Sequence, residues 1–150
     1  MDDVIFEDFS VKVINVIDDR VNIVLEECAG ELESKVKRVS RKKTGETRGS
    51  FQHKVIDSEH TAYIGSNEEN AIWEEFGTGE HALKGNGRKG GWWYKNPNAT
   101  FNKDGTIRKN SKESEFVFTY GKKPSRAFWK AYTSMKNKLI KHIQDSLKGL

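Results

Sequence analysis

The chain has 150 residues, of which 32% are charged, and its formal net charge is +4. This length suits one domain that folds around its own core without covalent cross-links. Cys28 is the single cysteine, which excludes an intrachain disulfide, and the acidic first residues and the lack of any long apolar run predict neither secretion nor membrane insertion.

The first predicted element is a long amphipathic helix from about Val11 to Val39. Residues 11–16 also alternate between β-branched and polar types, so a short strand before the helix is an alternative. We expect the helix to end at residues 42–45, where lysines suit the helix dipole and Gly45 can adopt a left-handed backbone, and a loop to follow. The apolar residues recur at the three-and-four spacing of one helical face: Ile14, Ile17, Val21, Val24, Leu25, Cys28, Leu32, Val36 and Val39.

An antiparallel hairpin is predicted next. Its two extended segments, residues 50–56 and 61–65, flank the polar turn at residues 57–60.

A short helix should follow the hairpin, over residues 68–76. Asn67 is the predicted N-cap, and Gly77 is the predicted end. Ile72 and Phe76 stand one turn apart on its predicted inner face.

Residues 80–123 are the least regular part of the chain, rich in Gly, Lys and Asn. Within them, residues 91–94 and 115–120 have the aromatic and β-branched chemistry of strands, and residues 103–106 have that of a hairpin turn. We therefore predict an extended, flexible β-hairpin arm. If its strands pair, we expect one face to carry an aromatic set: Trp92, Tyr94, Phe116, Phe118 and Tyr120.

A second long helix closes the predicted order of elements. Ser125 is its expected N-cap, Gly149 its expected end, and its lysines leave the other face in water. One face carries apolar residues at helical spacing: Phe128, Ala131, Tyr132, Met135, Leu139, Ile143 and Leu147. The order predicts a single α+β domain over residues 1–150, in which an antiparallel sheet is packed by a long N-terminal and a long C-terminal helix.

Little in the sequence favours catalysis. The four histidines and Cys28 show no metal-ligand spacing, and adjacent glutamates such as Glu74 and Glu75 point in different directions on a helix. The glycine-rich residues 85–91 run into Trp92 and Trp93 instead of a helix, which favours a hinge over a phosphate cradle. We predict no enzyme activity, no metal and no cofactor.

A basic run lies around the end of the first helix: Lys35, Lys37, Arg38, Arg41, Lys42, Lys43 and Arg48. It favours a solvated helix end, and nucleic-acid binding is the alternative. The overall positive excess is small for a dedicated nucleic-acid binder.

Three blocks, residues 44–50 (TGETRGS), 61–66 (TAYIGS) and 71–79 (AIWEEFGTG), resemble the TGxLRxS, "igs" and YAxxxExGTG blocks of a phage tail-component family. Residues 90–95, 116–121 and 123–128 also look like its members in phages of Gram-positive bacteria. The family is the one named for the tenth gene product of an HK-type lambdoid phage. The ordered blocks cover the chain from about Thr44 to its end. The chain departs from the pattern in four places. Thr47 stands where leucine is usual, and Ile72 precedes Trp73 where Tyr-Ala is common. Residues 125–128 replace a Pro-Phe pair, and the insertion at residues 96–115 is longer than expected.

The resemblance implies a structural virion protein of a tailed bacteriophage, a head-tail joining or tail completion subunit found in the neck or tail and made in the host cytoplasm. Its implied partners are other copies of itself in a ring, neighbouring connector, portal-side or tail-tube proteins, and phage DNA in passing, without a membrane. The matching motif residues are Thr44, Gly45, Arg48, Ser50, Glu75, Phe76, Gly77 and Thr78. We expect Arg48 and Glu75 to pair. The candidate interface residues are Trp92, Trp93, Tyr94, Phe116, Phe118 and Phe128.

Overall fold

The computed structural model describes residues 10–41, 45–95, 108–109 and 116–148. Helix α1, Ser10–Val39, supplies the surface on which the C-terminal helix and the first hairpin pack. Residues 11–16 belong to this helix, so the alternative of a strand at that point is wrong.

The predicted apolar face of α1 is confirmed only in its second half. Val24, Cys28, Leu32 and Val36 are buried at a spacing of four residues. Ile14 continues the same stripe but is exposed. The N-terminal turns of α1 therefore lie outside the core.

Gly45 has the predicted left-handed backbone, with φ 85°, but it introduces a new helix. The loop expected over residues 44–50 contains a one-turn helix α2, Glu46–Gly49, in which Gly49 N–H donates to the Gly45 carbonyl at 2.8 Å. Helix α1 has already ended at Val39, so the predicted stop at residues 42–45 is about three residues too late; residues 42–44 themselves lie outside the described residues.

The predicted hairpin is confirmed. Strands β1, Phe51–Ile56, and β2, Thr61–Ser66, pair antiparallel from Phe51 opposite Ser66 to Ile56 opposite Thr61. Both strands lie against α1, and β1 buries Phe51 in the core.

Helix α3 spans Glu69–Phe76 and ends at Gly77, as predicted. Two expectations for it are wrong. Glu68, not Asn67, is the N-cap residue, and its N–H donates to Ser66 Oγ at 3.0 Å. The buried position is Ala71, whose small side chain fits against the core, while Ile72 and Phe76 are exposed.

The arm forms a second sheet. Strand β3, Trp92–Lys95, pairs antiparallel with β5, Phe116–Thr119, as predicted from their aromatic residues. A two-residue strand β4, Arg108–Lys109, pairs with the other edge of β5 and was not predicted. The predicted turn at residues 103–106 lies outside the described part of the chain.

Helix α4, Ala127–Leu147, confirms the predicted C-terminal helix and packs antiparallel on α1. Its start differs from the prediction. Arg126 is the N-cap residue, with a left-handed φ of 54°, and the Ser125 hydroxyl is buried without a hydrogen-bond partner. The expected end at Gly149 lies outside the described residues.

The core lies between the two long helices, the hairpin and α3. Ile64, Phe128 and Leu139 pack against its buried residues, which are Leu32, Val36, Phe51, Ala71, Ala131 and Met135. Within the described ranges, no helix has both the length and the apolar character that a bilayer crossing requires.

Candidate protein interface

One of the residues that match the family pattern, Glu75, lies at a corner of the molecule next to Glu74. There the end of α1, the start of α4 and helix α3 come together around Glu74 and Glu75. Glu74 forms ion pairs with Arg41, at 3.4 Å, and with Lys122. Arg41 also donates to the carbonyl of Lys123 at 3.3 Å. This network ties the strand β5 exit to the end of α1.

Glu75 caps helix α4 from outside it. Its two carboxylate oxygens accept hydrogen bonds from the backbone N–H groups of Phe128, at 2.8 Å, and Trp129, at 3.0 Å. The first N–H groups of a helix lack partners within it, and a negative charge there also suits the helix dipole. The expected pair between Arg48 and Glu75 is not formed, because this carboxylate already binds α4.

Gly77, Thr78 and Gly79 hold the base of the arm. Thr78 N–H donates to the Lys122 carbonyl at 2.9 Å, and Lys122 N–H donates to Thr78 Oγ1 at 2.9 Å. A Cβ atom on Gly79 would lie 2.7 Å from Cζ3 of Trp92 and closer still to the Tyr120 carbonyl oxygen. Gly77 is similarly crowded by Pro124 and has φ 74°. Both glycines are required by close packing as well as by their positive φ.

The remaining motif residues brace α2 against the hairpin. Ser50 Oγ contacts Ser66 Oγ at 2.6 Å and donates to the Thr47 carbonyl at 2.9 Å. Asn70 donates from Nδ2 to Thr47 Oγ1 at 2.8 Å, which links α3 to α2. Thr47, which stands where the resembled pattern has leucine, therefore takes part in polar contacts. Thr44 lies outside the described residues.

An aromatic ladder occupies the outer face of the arm sheet, and we define it as Trp93, Phe118 and Tyr120. Phe118 makes edge contacts with Trp93, with ring centroids 5.2 Å apart, and with Tyr120, at 5.1 Å. Trp93 and Tyr120 are nonetheless 47% and 46% exposed. The ladder is preorganised and open to solvent.

The side chains predicted for this face are wrong in β3, where Trp93 lies on the face expected for Trp92 and Tyr94. Trp93 stands opposite Phe118, and Tyr94 opposite Val117. Because side chains alternate along a strand, Trp92 and Tyr94 share the other face with Val117. Val117 is 2% exposed and Trp92 covers Gly79, so that other face is turned toward the domain.

Two further candidate interface residues have different placements. Phe116 is partly buried and lies on the same sheet face as Phe118. Phe128 packs against the core of its own domain, which leaves it little surface for a partner.

Acidic residues already hold two members of the basic run. Lys37 pairs with Glu33 at 2.5 Å, and Arg41 pairs with Glu74. Lys42 and Lys43 lie outside the described residues.

A histidine joins the hairpin to α1. The His53 ring contacts Glu33 through Nδ1 and Glu26 through Nε2, the latter at 2.9 Å. The backbone N–H of His53 also donates to the Glu33 carboxylate at 2.9 Å. The pKa of His53 is raised, mainly by its hydrogen bond with Glu33 and secondly by its hydrogen bond with Glu26. The pKa of Glu33 is lowered, mainly by its hydrogen bond from Lys37 and secondly by its hydrogen bond with His53. The role of this cluster is to attach β1 to α1. Within the described part of the chain, no group of three or more His, Cys, Asp or Glu residues is placed to hold a metal ion.

Sequence reasoning missed two exposed apolar surfaces. The first turns of α1 expose valines and isoleucines, and α3 exposes Ile72, Trp73 and Phe76. The predicted apolar faces include Ile14, Ile17, Ile72 and Phe76, because periodicity shows that a helix is amphipathic but not where its neighbours end. Comparison of the chain with protein-family models, with curated proteins and with solved structures found no match to any of them.

Proposed function

We propose that the chain is a structural virion protein of a tailed bacteriophage, a head-tail joining or tail completion subunit that acts in tail assembly and attachment to the capsid. The observation that carries the proposal is the aromatic ladder. Phe118 makes edge contacts with Trp93 and with Tyr120, and those two outer rings stand half-exposed on a small sheet. Such preorganised aromatic residues typically anchor protein interfaces.

The surroundings of the ladder support a docking role. Its base is fixed by the paired hydrogen bonds of Thr78 and Lys122, and Trp92 is packed over Gly79. A rigid base reduces the entropy lost when the ladder is buried by a partner. Of the motif residues on which the family resemblance rests, Gly77 and Thr78 serve this same base, and the proposal assigns none of the motif residues a catalytic step.

The partners in the proposal are other copies of the chain in a ring and the adjoining connector, portal-side or tail-tube proteins. A small nucleic-acid-binding protein of phage origin is the alternative. The engagement of Lys37 and Arg41 by carboxylates weighs against it, since those cations are partly neutralised. Duplex binding that falls steeply with added salt would favour the alternative.

A pair of substitutions tests the ladder. In the phage genome that encodes the chain, Trp93→Ser should reduce infectious particles at least about tenfold, because an aromatic anchor at an interface typically contributes about 2 kcal/mol or more. Tyr63→Ser is the matched control, since Tyr63 is 56% exposed but lies on the hairpin. Circular dichroism of both purified variants checks folding. Equal titres for the two variants would contradict the role of the ladder.

A further inference from the structure

The N-terminal turns of α1 form an apolar projection, which we call the helix tip and define as Val11, Val13, Ile14, Val16 and Ile17. These five side chains are 40% to 65% exposed. They cover more than half of the helix circumference, because at 100° per residue Val16 lies about 160° from Ile14 and about 140° from Val11. An apolar arc wider than an ordinary core-facing stripe normally has a packing partner.

Among the described residues nothing covers the helix tip, because its neighbours α4 and the hairpin end short of it. Along the α1–α4 contact, Glu31 pairs with Lys138 at 2.7 Å and Glu27 with His142 at 2.9 Å. Arg20 then reaches the carbonyl of Ser146 at 3.4 Å, only one residue before the end of α4 at Leu147.

The hairpin also stops at this level. Its turn contacts α1 through His60, which lies 3.4 Å from Asp18 and 3.1 Å from Asn22. The helix tip therefore extends about two turns beyond both of its packing partners.

A second apolar surface lies at the other end of the molecule, and we call it the end patch. Leu83 N–H donates to the Phe76 carbonyl at 2.9 Å, Trp129 N–H donates to Glu75, and the Trp129 and Tyr132 rings lie 6.3 Å apart. The patch consists of six side chains that are 37% to 60% exposed: Ile72, Trp73, Phe76, Leu83, Trp129 and Tyr132.

The two surfaces cannot cover each other within one chain. The end patch belongs to α3 and the start of α4, which the Arg41 contacts attach to the C-terminal end of α1. The helix tip is at the N-terminal end of the same helix, about 40 Å away at 1.5 Å per residue. Coverage of one surface by the other requires two molecules.

The charges of the two ends are complementary. Residues 1–20 contain six carboxylates, at positions 2, 3, 7, 8, 18 and 19, and two basic residues, Lys12 and Arg20. The segments that carry the end patch, residues 68–95 and 120–130, contain eight Lys or Arg residues and five Glu residues, a net charge of +3, against −4 for residues 1–20. Opposite fields of this kind orient an encounter between two ends.

We propose that the helix tip of one copy docks on the end patch of a second copy, head to tail. The inference rests on the proposed function and deepens it by naming the contact between neighbouring subunits. Because the two contacting surfaces differ, the contact is heterologous and can repeat, closing into a ring when the rotation between copies allows. The aromatic ladder is not used in this contact and stays available to another component.

Three matched substitutions of exposed isoleucines test the contact. Ile14→Lys changes the helix tip, Ile72→Lys changes the end patch, and Ile140→Lys is the control, since Ile140 is 43% exposed in the middle of α4. Sedimentation of the full chain at about 100 µM, a concentration that detects weak contacts, should show oligomers for the unmodified protein and the control. Both test variants should be monomeric, with unchanged circular dichroism.

The decisive measurement is an equal mixture of the two test variants. Each retains one intact surface, so the mixture should form a dimer of one copy of each and nothing larger. A mixture that stays monomeric, an unmodified protein that is monomeric, or Ile72→Lys dimers joined tip to tip would each overturn the proposal. If the variants contradict this contact, the proposed virion role through the ladder still stands. If the oligomers form as expected but phage with substitutions in the ladder joins heads and tails normally, only the proposed function is overturned.

Discussion

Single residues at the base of the arm explain the GTG pattern in physical terms. Gly79 lies where Trp92 and the Tyr120 carbonyl leave no room for a side chain, and Thr78 binds Lys122 through both its N–H and its hydroxyl. The sequence predicted the turn at Gly77 from residue type alone. It did not predict the close packing at Gly79, because Trp92 is 13 residues away in the chain.

A glycine series separates packing from backbone strain. Gly79→Ala should lower the free energy of unfolding by more than about 2 kcal/mol, since it combines a positive φ with a steric clash. Gly85→Ala, with φ 69° and open space around it, should cost about 1 kcal/mol from strain alone. Gly49→Ala, which has neither problem, should be close to neutral. Urea unfolding measures all three, and equal losses at Gly79 and Gly85 would contradict the packing argument.

His53 should make stability depend on pH. Its pKa is raised in the folded state, so its contribution is fully present below the usual histidine value and is lost as pH rises through the raised pKa. Glu33 has a lowered pKa, so its contribution is present above the usual glutamate value and is lost as pH falls through the lowered pKa. We therefore expect the free energy of unfolding to fall as pH rises above the usual histidine value of about 6.5.

His53→Gln is the control for this pH dependence. The variant cannot take a proton at this position, so its urea unfolding curves should shift less over the same pH range. A slope identical to that of the unmodified protein would assign the effect to another group.

Among the elements, helix α4 shows most clearly what sequence patterns miss. Its apolar spacing predicted the helix, and Ala131 and Met135 are buried as expected. Its N-terminus is capped by Glu75, which is 53 residues away from Phe128 in the sequence. Local sequence patterns could only predict a neighbouring cap, Ser125. The arm shows the same limit: strand chemistry predicted that β3 and β5 pair, but only the pairing register determines which aromatic side chains share a face.

Loss of the cap should destabilise the protein. Glu75→Ala leaves the N–H groups of Phe128 and Trp129 without their charged acceptor, which should cost about 1–3 kcal/mol of unfolding free energy. Glu69→Ala, an exposed glutamate on the same helix, should cost less than about 1 kcal/mol. Thermal and urea unfolding compare the two, and equal losses would show that Glu75 does not act as the cap.

At the scale of the whole molecule, the α+β architecture with two long helices and an aromatic arm was predictable from the order of periodic segments. The exposure of the molecular ends was not, because it depends on where α4 and the hairpin stop along α1. The molecule carries apolar surfaces at both ends of α1 and an aromatic ladder on the arm. Several separate contact surfaces suit the proposed role of a subunit between two virion components.

The most direct measurement of this role is electron microscopy of particles made by the encoding phage with this gene deleted. The account predicts complete heads and complete tails that are unattached, and joined infectious particles after purified protein is added to the lysate. Particles that lack this polypeptide but carry firmly attached, functional tails would contradict it.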